Sequence, residues 1–119
     1  MTTQVLVVED EALVRVVIVM HLQDEGFEVY EAADADQAID QLVRNPSMHL
    51  VFTDIDMPGS MDGLKLAAFV HDRWPPIRII VTSGMRPIEI TDIPDGSMFF
   101  AKPYQLDVVT SAIRELVVI

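Results

Sequence analysis

The stretch LVFTDIDMPGSMDG at residues 50–63 decides the fold of this chain. It opens with an apolar run, reaches a carboxylate at Asp54 and continues into proline, glycine and serine, which are turn formers. A short apolar run without polar alternation is typical of a strand that is buried on both faces of a sheet. The stretch therefore predicts a central strand over about 49–54, with Asp54 placed where the strand leaves the core.

Two other apolar runs also end in charged residues. Glu9 and Asp10 follow the run VLVV, and Lys102 with Pro103 follows the run MFFA. If these strands are parallel and adjacent, their carboxyl ends meet at one edge of the sheet, where open α/β sheets place their sites. Carboxylates crowded together repel one another unless a cation joins them, and oxygen ligands favour Mg²⁺. The pattern therefore predicts a magnesium site with phosphate chemistry beside it.

The composition narrows the classes of function open to the chain. It has 119 residues, of which 50% are hydrophobic, so we expect one core and a single domain over 1–119. The formal net charge of −11 disfavours direct binding to nucleic acid or to an anionic membrane, since phosphate groups are held mainly by Lys and Arg. The sequence contains no cysteine and no apolar stretch near the roughly 20 residues of a membrane helix. These features predict a cytoplasmic protein that binds cations or a basic partner surface.

Strand-like and helix-like stretches alternate along the chain. The predicted strands lie at about 4–9, 27–31, 49–54, 77–82 and 97–101. The predicted helices lie at about 12–25, from the N-cap Asp34 to the stop at Asn45-Pro46, and at about 62–73 and 104–117. This alternation implies right-handed crossovers and a doubly wound, five-stranded parallel sheet with helices on both faces. The segment 84–96 is the exception, because its two glycines and two prolines predict a shortened or irregular fourth helix.

Four motifs at the strand ends resemble those of one known family. In chain order they are VLVVEDE, VFTDIDMPGSMDG, IIVTSG and FFAKPY. With them the whole chain resembles a receiver domain of two-component response regulators, which have a CheY-like, flavodoxin-like fold. The resemblance implies sheet order 2-1-3-4-5 and a phosphoacceptor signalling switch, here a stand-alone regulator or relay because no output domain follows residue 119. It further implies a histidine kinase or histidine phosphotransfer protein as phosphoryl donor, and no enzyme activity beyond self-catalysed phosphorylation and dephosphorylation.

The resemblance assigns roles to the acidic residues. Asp54 is implied as the phosphoacceptor, and Glu9 and Asp10 as the acidic pair that holds Mg²⁺ or Mn²⁺. Asp54 itself and the backbone carbonyl of Asp56 would complete the protein ligands. The chemistry agrees independently, because a carboxylate can attack a phosphoryl group in line once positive charge offsets that on the phosphoryl oxygens. Asp56 and Met85 stand near the acceptor by position, so we expect them to influence hydrolysis of the phosphorylated form.

The remaining assignments concern the phosphoryl oxygens and the signalling surface. Ser83 matches the hydroxyl residue that donates to a phosphoryl oxygen, and Lys102 matches the lysine that pairs with the phosphoryl group. Pro103 is the candidate for a cis-proline. Phe99 falls at the aromatic switch position, which the family couples to the hydroxyl residue. Phosphorylation is expected to change the surface around the 84–96 loop, the fifth strand and the last helix.

The first predicted helix is apolar on two sides. One stripe, assigned to the sheet, comprises Val14, Val17, Ile18 and Leu22. A second stripe comprises Leu13, Val16 and Met20. Because only one stripe can face the sheet, we expect the second to dock against the helical bundle of a histidine kinase or phosphotransfer protein. Deeper packing of the helix and a homodimer seam are the alternatives.

Two other classes of protein compete with the receiver interpretation. A haloacid-dehalogenase-like phosphatase would use Asp54 and Asp56 as nucleophile and acid. That family places its further acids downstream and needs a larger chain, whereas Glu9 and Asp10 lie upstream. A flavodoxin-like or non-phosphorylated binding module is the second alternative. The acidic residues after the first strand would repel a flavin phosphate, and a glycine- or hydroxyl-rich phosphate cradle is missing there.

Overall fold

Strands and helices alternate as the apolar runs predict. The computed structural model describes residues 2–84 and 88–117. The strands are β1 (Gln4–Val8), β2 (Glu28–Ala32), β3 (Leu50–Asp54), β4 (Arg78–Ser83) and β5 (Met98–Ala101). The helices are α1 (Ala12–Asp24), α2 (Ala35–Arg44), α3 (Gly63–Arg73) and α4 (Leu106–Val117). The predicted ranges differ from these bounds by at most about two residues, the ordinary uncertainty of an element end.

The five strands form one sheet in the order β2-β1-β3-β4-β5, and every neighbouring pair is parallel. The predicted topology is therefore confirmed. Alternate side chains of a strand point to opposite faces, so Leu6 and Val8 pack with α2 and α3 while Val5 and Val7 pack with α1 and α4. Both faces of the sheet are covered by helices. The carboxyl ends of the strands are thus left as the edge at which polar groups can collect.

Polar residues and glycine lie at the helix ends, and those at Asp34 and Gly26 were predicted from the sequence. The side chain of Asp34 accepts a hydrogen bond from the Gln37 amide and begins α2. The side chain of Asp62 accepts one from the Lys65 amide in the same way and begins α3. Gly26 follows α1 with a φ of +95°, a left-handed conformation that a side chain would strain. Asp34 and Asp62 thus fix where α2 and α3 begin, and Gly26 lets the chain turn from α1 toward β2.

One sequence-based assignment on α1 is wrong. Ile18, Val19 and Leu22 are buried and Val14 is partly buried, but Val17 is 57% exposed. A helix turns about 100° per residue, so a buried face centred near Ile18 and Leu22 includes Val19 and leaves Val17 on the far side. Val17 therefore joins the second stripe. The exposed apolar stripe of α1 comprises Leu13, Val16, Val17 and Met20.

The connection between β4 and β5 has no regular helix in the residues that the structure describes. Residues 88–97 contain a single 3₁₀ turn at Ile90–Asp92, closed by reciprocal hydrogen bonds between Glu89 and Asp92. Buried Ile93 anchors this segment to the core. The predicted shortened or irregular fourth helix is confirmed, whereas Met85 lies outside the described residues.

Within residues 2–84 and 88–117, no helix combines the length and the apolar character that crossing a membrane requires.

Candidate functional site

The strand order brings the predicted site residues to one edge of the sheet. Asp54 is the last residue of β3, which lies between β1 and β4 in the sheet. Glu9 and Asp10 follow the end of β1, and Ser83 ends β4. Lys102 follows β5, and its amide donates to the Ser83 carbonyl at 2.9 Å. Residues far apart in the chain therefore meet because parallel strands end at the same level.

Three carboxylates form a cluster at this edge. One carboxylate oxygen from each of Glu9, Asp10 and Asp54 lies within 4.8 Å of the other two. Glu9 is 2% exposed and Asp54 is 5% exposed, whereas Asp10 is partly exposed. Hard divalent cations such as Mg²⁺ prefer oxygen ligands of this type. The donor set therefore fits Mg²⁺, as the sequence predicts.

Lys102 reaches both buried carboxylates. Its Nζ lies 3.3 Å from Asp54 Oδ2 and 3.5 Å from Glu9 Oε1. Burial lowers the pKa of Lys102, but the charges of Asp54 and Glu9 outweigh burial and raise it above its ordinary value. The ammonium is therefore held in its charged form. The peptide bond between Lys102 and Pro103 is cis, and Gly84 leaves room for the lysine, because a Cβ at Gly84 would lie 3.2 Å from Lys102 Cβ.

The surroundings of Asp54 and Glu9 disfavour the charged forms of both carboxyl groups. Burial raises the pKa of Asp54 despite its pairing with Lys102. Burial also raises the pKa of Glu9, although the Glu11 amide donates to Glu9 Oε2 at 3.0 Å. Lys102 supplies one positive charge against the three carboxylates of the cluster. This imbalance is a second observation that fits a divalent cation at the site.

The Ser83 hydroxyl is buried at the site and is bound to a neighbouring acid. Ser83 is 2% exposed, and its Oγ donates to Asp56 Oδ2 at 2.7 Å. Asp56 lies two residues after Asp54, and its amide nitrogen is 3.5 Å from Asp54 Oδ1. Ser83 thus lies on the strand next to β3. Its hydroxyl is bound by Asp56, a partner that the sequence analysis did not predict.

Phe99 lies on β5 opposite Val81 and is partly buried against the core between the sheet and α2 and α3. Its role as an aromatic switch stays a prediction.

Two further residues shape the site, and sequence reasoning missed both. Arg15 Nη1 donates to the Glu9 carbonyl at 2.7 Å, while its Nε contacts Glu31 Oε1 at 3.1 Å. The available signal was a single arginine within the otherwise apolar stretch at residues 12–20. Gly63 is the second, since a Cβ there would lie 2.1 Å from the Asp54 carbonyl oxygen. Its signal was the aspartate-glycine pair at the start of α3.

The site opens to solvent through a cleft of about 340 Å³. Its lining residues are Glu11, Asp54, Asp56, Gly84 and Lys102. A small anion entering this cleft meets the Asp54 carboxylate and the adjacent Lys102 ammonium, 3.3 Å apart. The arrangement can therefore bind a phosphoryl group and present a carboxylate oxygen to its phosphorus.

The doubly wound sheet and its acidic edge define the class of receiver domains. The sequence model of the response regulator receiver domain matches residues 5–114, and the chain belongs to this family. It is thus a phosphoacceptor switch domain of two-component signalling, and the family match gives no support to the phosphatase or the binding-module alternative.

Relatives and solved structures agree with this family. An NtrX-like response regulator of Rickettsia bellii is 36% identical over 107 residues, which cover 87% of this chain and 22% of the relative. The receiver domain of the hybrid histidine kinase CckA has a TM-score of 0.83 at 28% identity, covering 97% of this chain and 99% of that one. A response regulator receiver protein from Sinorhizobium medicae has a TM-score of 0.88 at 26% identity, covering 98% and 94%. The chain spans about a fifth of the length of the curated relatives that it matches.

Proposed function

We propose that Asp54 is the residue that accepts the phosphoryl group, and that the donor is a phosphohistidine of a histidine kinase or phosphotransfer protein. The observation that carries the proposal is the position of the Asp54 carboxylate in the cleft, 3.3 Å from the Lys102 ammonium and beside two further acids. An Asp54 oxygen would form the new bond to phosphorus while the bond between phosphorus and the histidine nitrogen breaks. The electron pair of that bond returns to the imidazole, and the product is an aspartyl phosphate.

Lys102 and Ser83 would hold the transferred group. The ammonium of Lys102 already lies within reach of Asp54 and would offset the charge on the phosphoryl oxygens. The Ser83 hydroxyl, on the neighbouring strand end, would donate to one of these oxygens. Neither residue forms a covalent bond, so both contribute position and electrostatics. We expect no enzyme activity of this chain beyond its own phosphorylation and dephosphorylation.

Glu9, Asp10 and Asp54 would hold Mg²⁺ or Mn²⁺ together with the backbone carbonyl of Asp56. When bound, the metal supplies positive charge to the phosphoryl oxygens. The carboxylates themselves restrict which ions can enter, since a set of oxygen donors disfavours soft metals. Glu9 is further held by the Glu11 amide and Lys102, so its carboxylate is positioned in advance.

The exposed apolar stripe of α1 is the proposed docking surface for the phosphoryl donor. Leu13 is 84% exposed and Met20 is 59% exposed, values unusual for apolar residues that meet only water. α1 begins one residue after Glu11, which lines the cleft, so a helix seated on the stripe would end near Asp54. The donor therefore fits as a helical bundle with an apolar face. A homodimer through the same stripe is the competing use.

The proposed output is a change of the surface that follows β4. Ser83, Phe99, the 84–96 loop, β5 and α4 would respond together once the Ser83 hydroxyl binds the phosphoryl group. The net charge of −11 favours a protein partner for this surface over direct contact with nucleic acid. A cytoplasmic location, where histidine kinases present their phosphohistidine, belongs to the same proposal.

Intact mass spectrometry after treatment with acetyl phosphate and Mg²⁺ tests the acceptor directly. We expect wild type to gain the mass of one phosphoryl group and Asp54→Asn to gain none. Phosphorylation of Asp54→Asn to the wild-type extent would overturn the assignment. Hydrolysis of para-nitrophenyl phosphate by the same preparations separates the phosphatase alternative, because a switch domain is expected to show negligible turnover.

A further inference from the structure

The hydrogen bond between Ser83 and Asp56 occupies the hydroxyl that the phosphoryl group is expected to use. Ser83 Oγ donates to Asp56 Oδ2 at 2.7 Å, a short bond to a carboxylate. A serine hydroxyl has one proton, so it can make one strong donated bond at a time. Bonds to carboxylates are roughly twice as strong as those between neutral groups. A phosphoryl oxygen on Asp54 must therefore displace Asp56 before it can receive this proton.

The backbone around Ser83 leaves rotation of the side chain as the available route. The Ser83 carbonyl accepts from the Lys102 amide at 2.9 Å, and Ser83 pairs with Ala101 in the sheet. On the other side, the Ile55 amide donates to the carbonyl of Thr82 at 2.8 Å. With the strand held on both sides, the hydroxyl changes partner by moving between staggered positions about χ1.

Burial makes this exchange of partners discrete. Ser83 is 2% exposed, so water cannot freely replace an acceptor that the hydroxyl loses. Loss of the bond to Asp56 therefore has a cost unless a phosphoryl oxygen takes the place of the carboxylate. Asp56, by contrast, is partly exposed in the cleft and can be solvated after it is released.

We propose that Asp56 is a positioning residue that holds Ser83 in the resting state and thereby opposes the signalling state. This inference rests on the proposed function, because it requires a phosphoryl group on Asp54. Removal of the Asp56 carboxylate ends this hydrogen bond and favours binding of the phosphoryl oxygens. The backbone carbonyl of Asp56, which would ligate the metal, is unchanged by substitution of its side chain.

Asp56 could also oppose the phosphoryl group simply by repelling its charge. This repulsion and the competition for the Ser83 proton differ in whether they require Ser83. Repulsion acts whether or not a hydroxyl is present at position 83. Competition for the proton vanishes when the hydroxyl is removed. A double-mutant cycle between the two positions therefore separates them.

The experiment measures the dissociation constant of beryllium fluoride, a phosphoryl mimic, with Mg²⁺ by calorimetry. The proteins are wild type, Asp56→Ala, Ser83→Ala and the double variant. We expect Asp56→Ala to bind the mimic roughly tenfold more tightly when Ser83 is present. In the Ser83→Ala background the same substitution should change binding by less than about twofold.

Conservative variants keep the test valid if an alanine variant folds poorly. Ser83→Thr retains a hydroxyl, so Asp56→Ala should again tighten binding roughly tenfold in that background. Asp56→Asn retains a neutral acceptor and should give a smaller gain than Asp56→Ala.

If Asp56→Ala tightens binding of the mimic equally with and without the Ser83 hydroxyl, or does not tighten it at all, Asp56 does not compete for the Ser83 proton. Failure of the proposed function has a different signature. In that case wild type does not bind the mimic, or Asp54→Asn binds it equally well, and this inference falls with it.

Discussion

Close approaches of backbone and side chain decide the geometry of the site at the scale of single residues. A Cβ at Gly63 would lie 2.1 Å from the Asp54 carbonyl oxygen and 2.7 Å from Ile55 Cα, and the Gly63 amide donates to the Ile55 carbonyl at 2.9 Å. Glycine at this position therefore lets the start of α3 lie directly against the end of β3. Arg15 acts from the opposite side, where its guanidinium holds the carbonyl of Glu9.

Gly63→Ala is expected to destabilise the fold by about 3 kcal/mol, because the added methyl group collides with rigid backbone rather than with a flexible side chain. Denaturant unfolding measures the change in the free energy of unfolding. Lys65→Ala is the matched control, since Lys65 is exposed in the same turn of α3 and its loss should stay within about 0.5 kcal/mol. An unchanged midpoint for Gly63→Ala would contradict the close approach.

Arg15→Met is expected to lower the free energy of unfolding by about 1 kcal/mol and to weaken Mg²⁺ binding, because the Glu9 carbonyl loses its donor. Denaturant unfolding and a magnesium titration provide the two measurements. Arg44→Met is the control, because the Arg44 pair with Asp40 at 2.7 Å is exposed on α2 and is expected to contribute less than about 0.5 kcal/mol. Equal metal affinity in wild type and Arg15→Met would show that Arg15 does not position the acidic pair.

At the scale of the elements, α1 has one face buried against the sheet and one exposed apolar face. The connection after β4 lacks a regular helix in its described part. The buried face of α1 packs on the sheet through Ile18, Val19 and Leu22, while the apolar stripe faces solvent. The connection after β4 carries one 3₁₀ turn in its described part, held to the core by Ile93. Fewer backbone hydrogen bonds hold such a segment than hold a helix, so it can change shape at a lower free energy.

Introducing charge on the stripe should slow phosphotransfer from a protein donor. Val16→Glu combined with Met20→Glu is expected to reduce the rate from a histidine kinase or phosphotransfer protein by roughly tenfold or more, because the docked face would bury the new charges. The rate with acetyl phosphate should stay the same. Val43→Glu is the control, since Val43 is 57% exposed on α2, away from the stripe. An unchanged protein-donor rate, or equal slowing by the control, would remove the docking surface.

Modification of Asp54 should change hydrogen exchange in residues 88–97. Beryllium fluoride with Mg²⁺ is expected to slow exchange of these amides, since rotation of the Ser83 side chain and release of Asp56 change the contacts beside the start of the segment. Mass spectrometry of peptic fragments measures the difference, with a fragment from α2 as the unaffected reference. Identical exchange with and without the mimic would argue against this output surface.

At the scale of the whole molecule, the three carboxylates at one edge of the sheet outnumber the single positive charge of Lys102. The free energy of unfolding therefore depends on pH. Burial raises the pKa values of Asp54 and Glu9, so in a metal-free protein the folded state binds these protons more tightly than the unfolded chain. Below the ordinary carboxyl pKa, near 4, both states are protonated and the difference vanishes. As pH rises through the interval between the ordinary and the raised values, the unfolded chain loses protons first, and the free energy of unfolding falls.

Asp54→Asn is therefore expected to be more stable than wild type at pH 7.5 without metal, with the difference shrinking toward acidic pH. Thermal unfolding at several pH values measures it, and Lys102 stays charged over this range because its pKa is raised. Mg²⁺ should reverse the order, since ligand at 100 times its dissociation constant adds about 2.7 kcal/mol to wild type. A metal-free Asp54→Asn that is less stable than wild type at neutral pH would contradict the raised pKa.

Sequence by itself determined the strands, the helices and the identity of the acidic residues at the strand ends. Burial on both faces requires continuous apolar runs such as 50–52, and turn formers must follow where the chain leaves the core. The predicted cap at Asp34 is also local, because its side chain bonds an amide only three residues away. Such features depend on neighbours along the chain, so pattern and spacing are sufficient to predict them.

Tertiary structure alone decided which side of α1 faces the sheet and which partners the polar groups around the acidic cluster have. The packing of α1 on the sheet placed Val19 inside and Val17 outside, although both are valines in one apolar run. The bonds from Ser83 to Asp56 and from Arg15 to the Glu9 carbonyl depend on side-chain directions at strand ends. The physical reason is that a local pattern specifies the conformation of each segment, whereas rotation of a helix about its axis and the partner of a hydroxyl follow from how the segments pack.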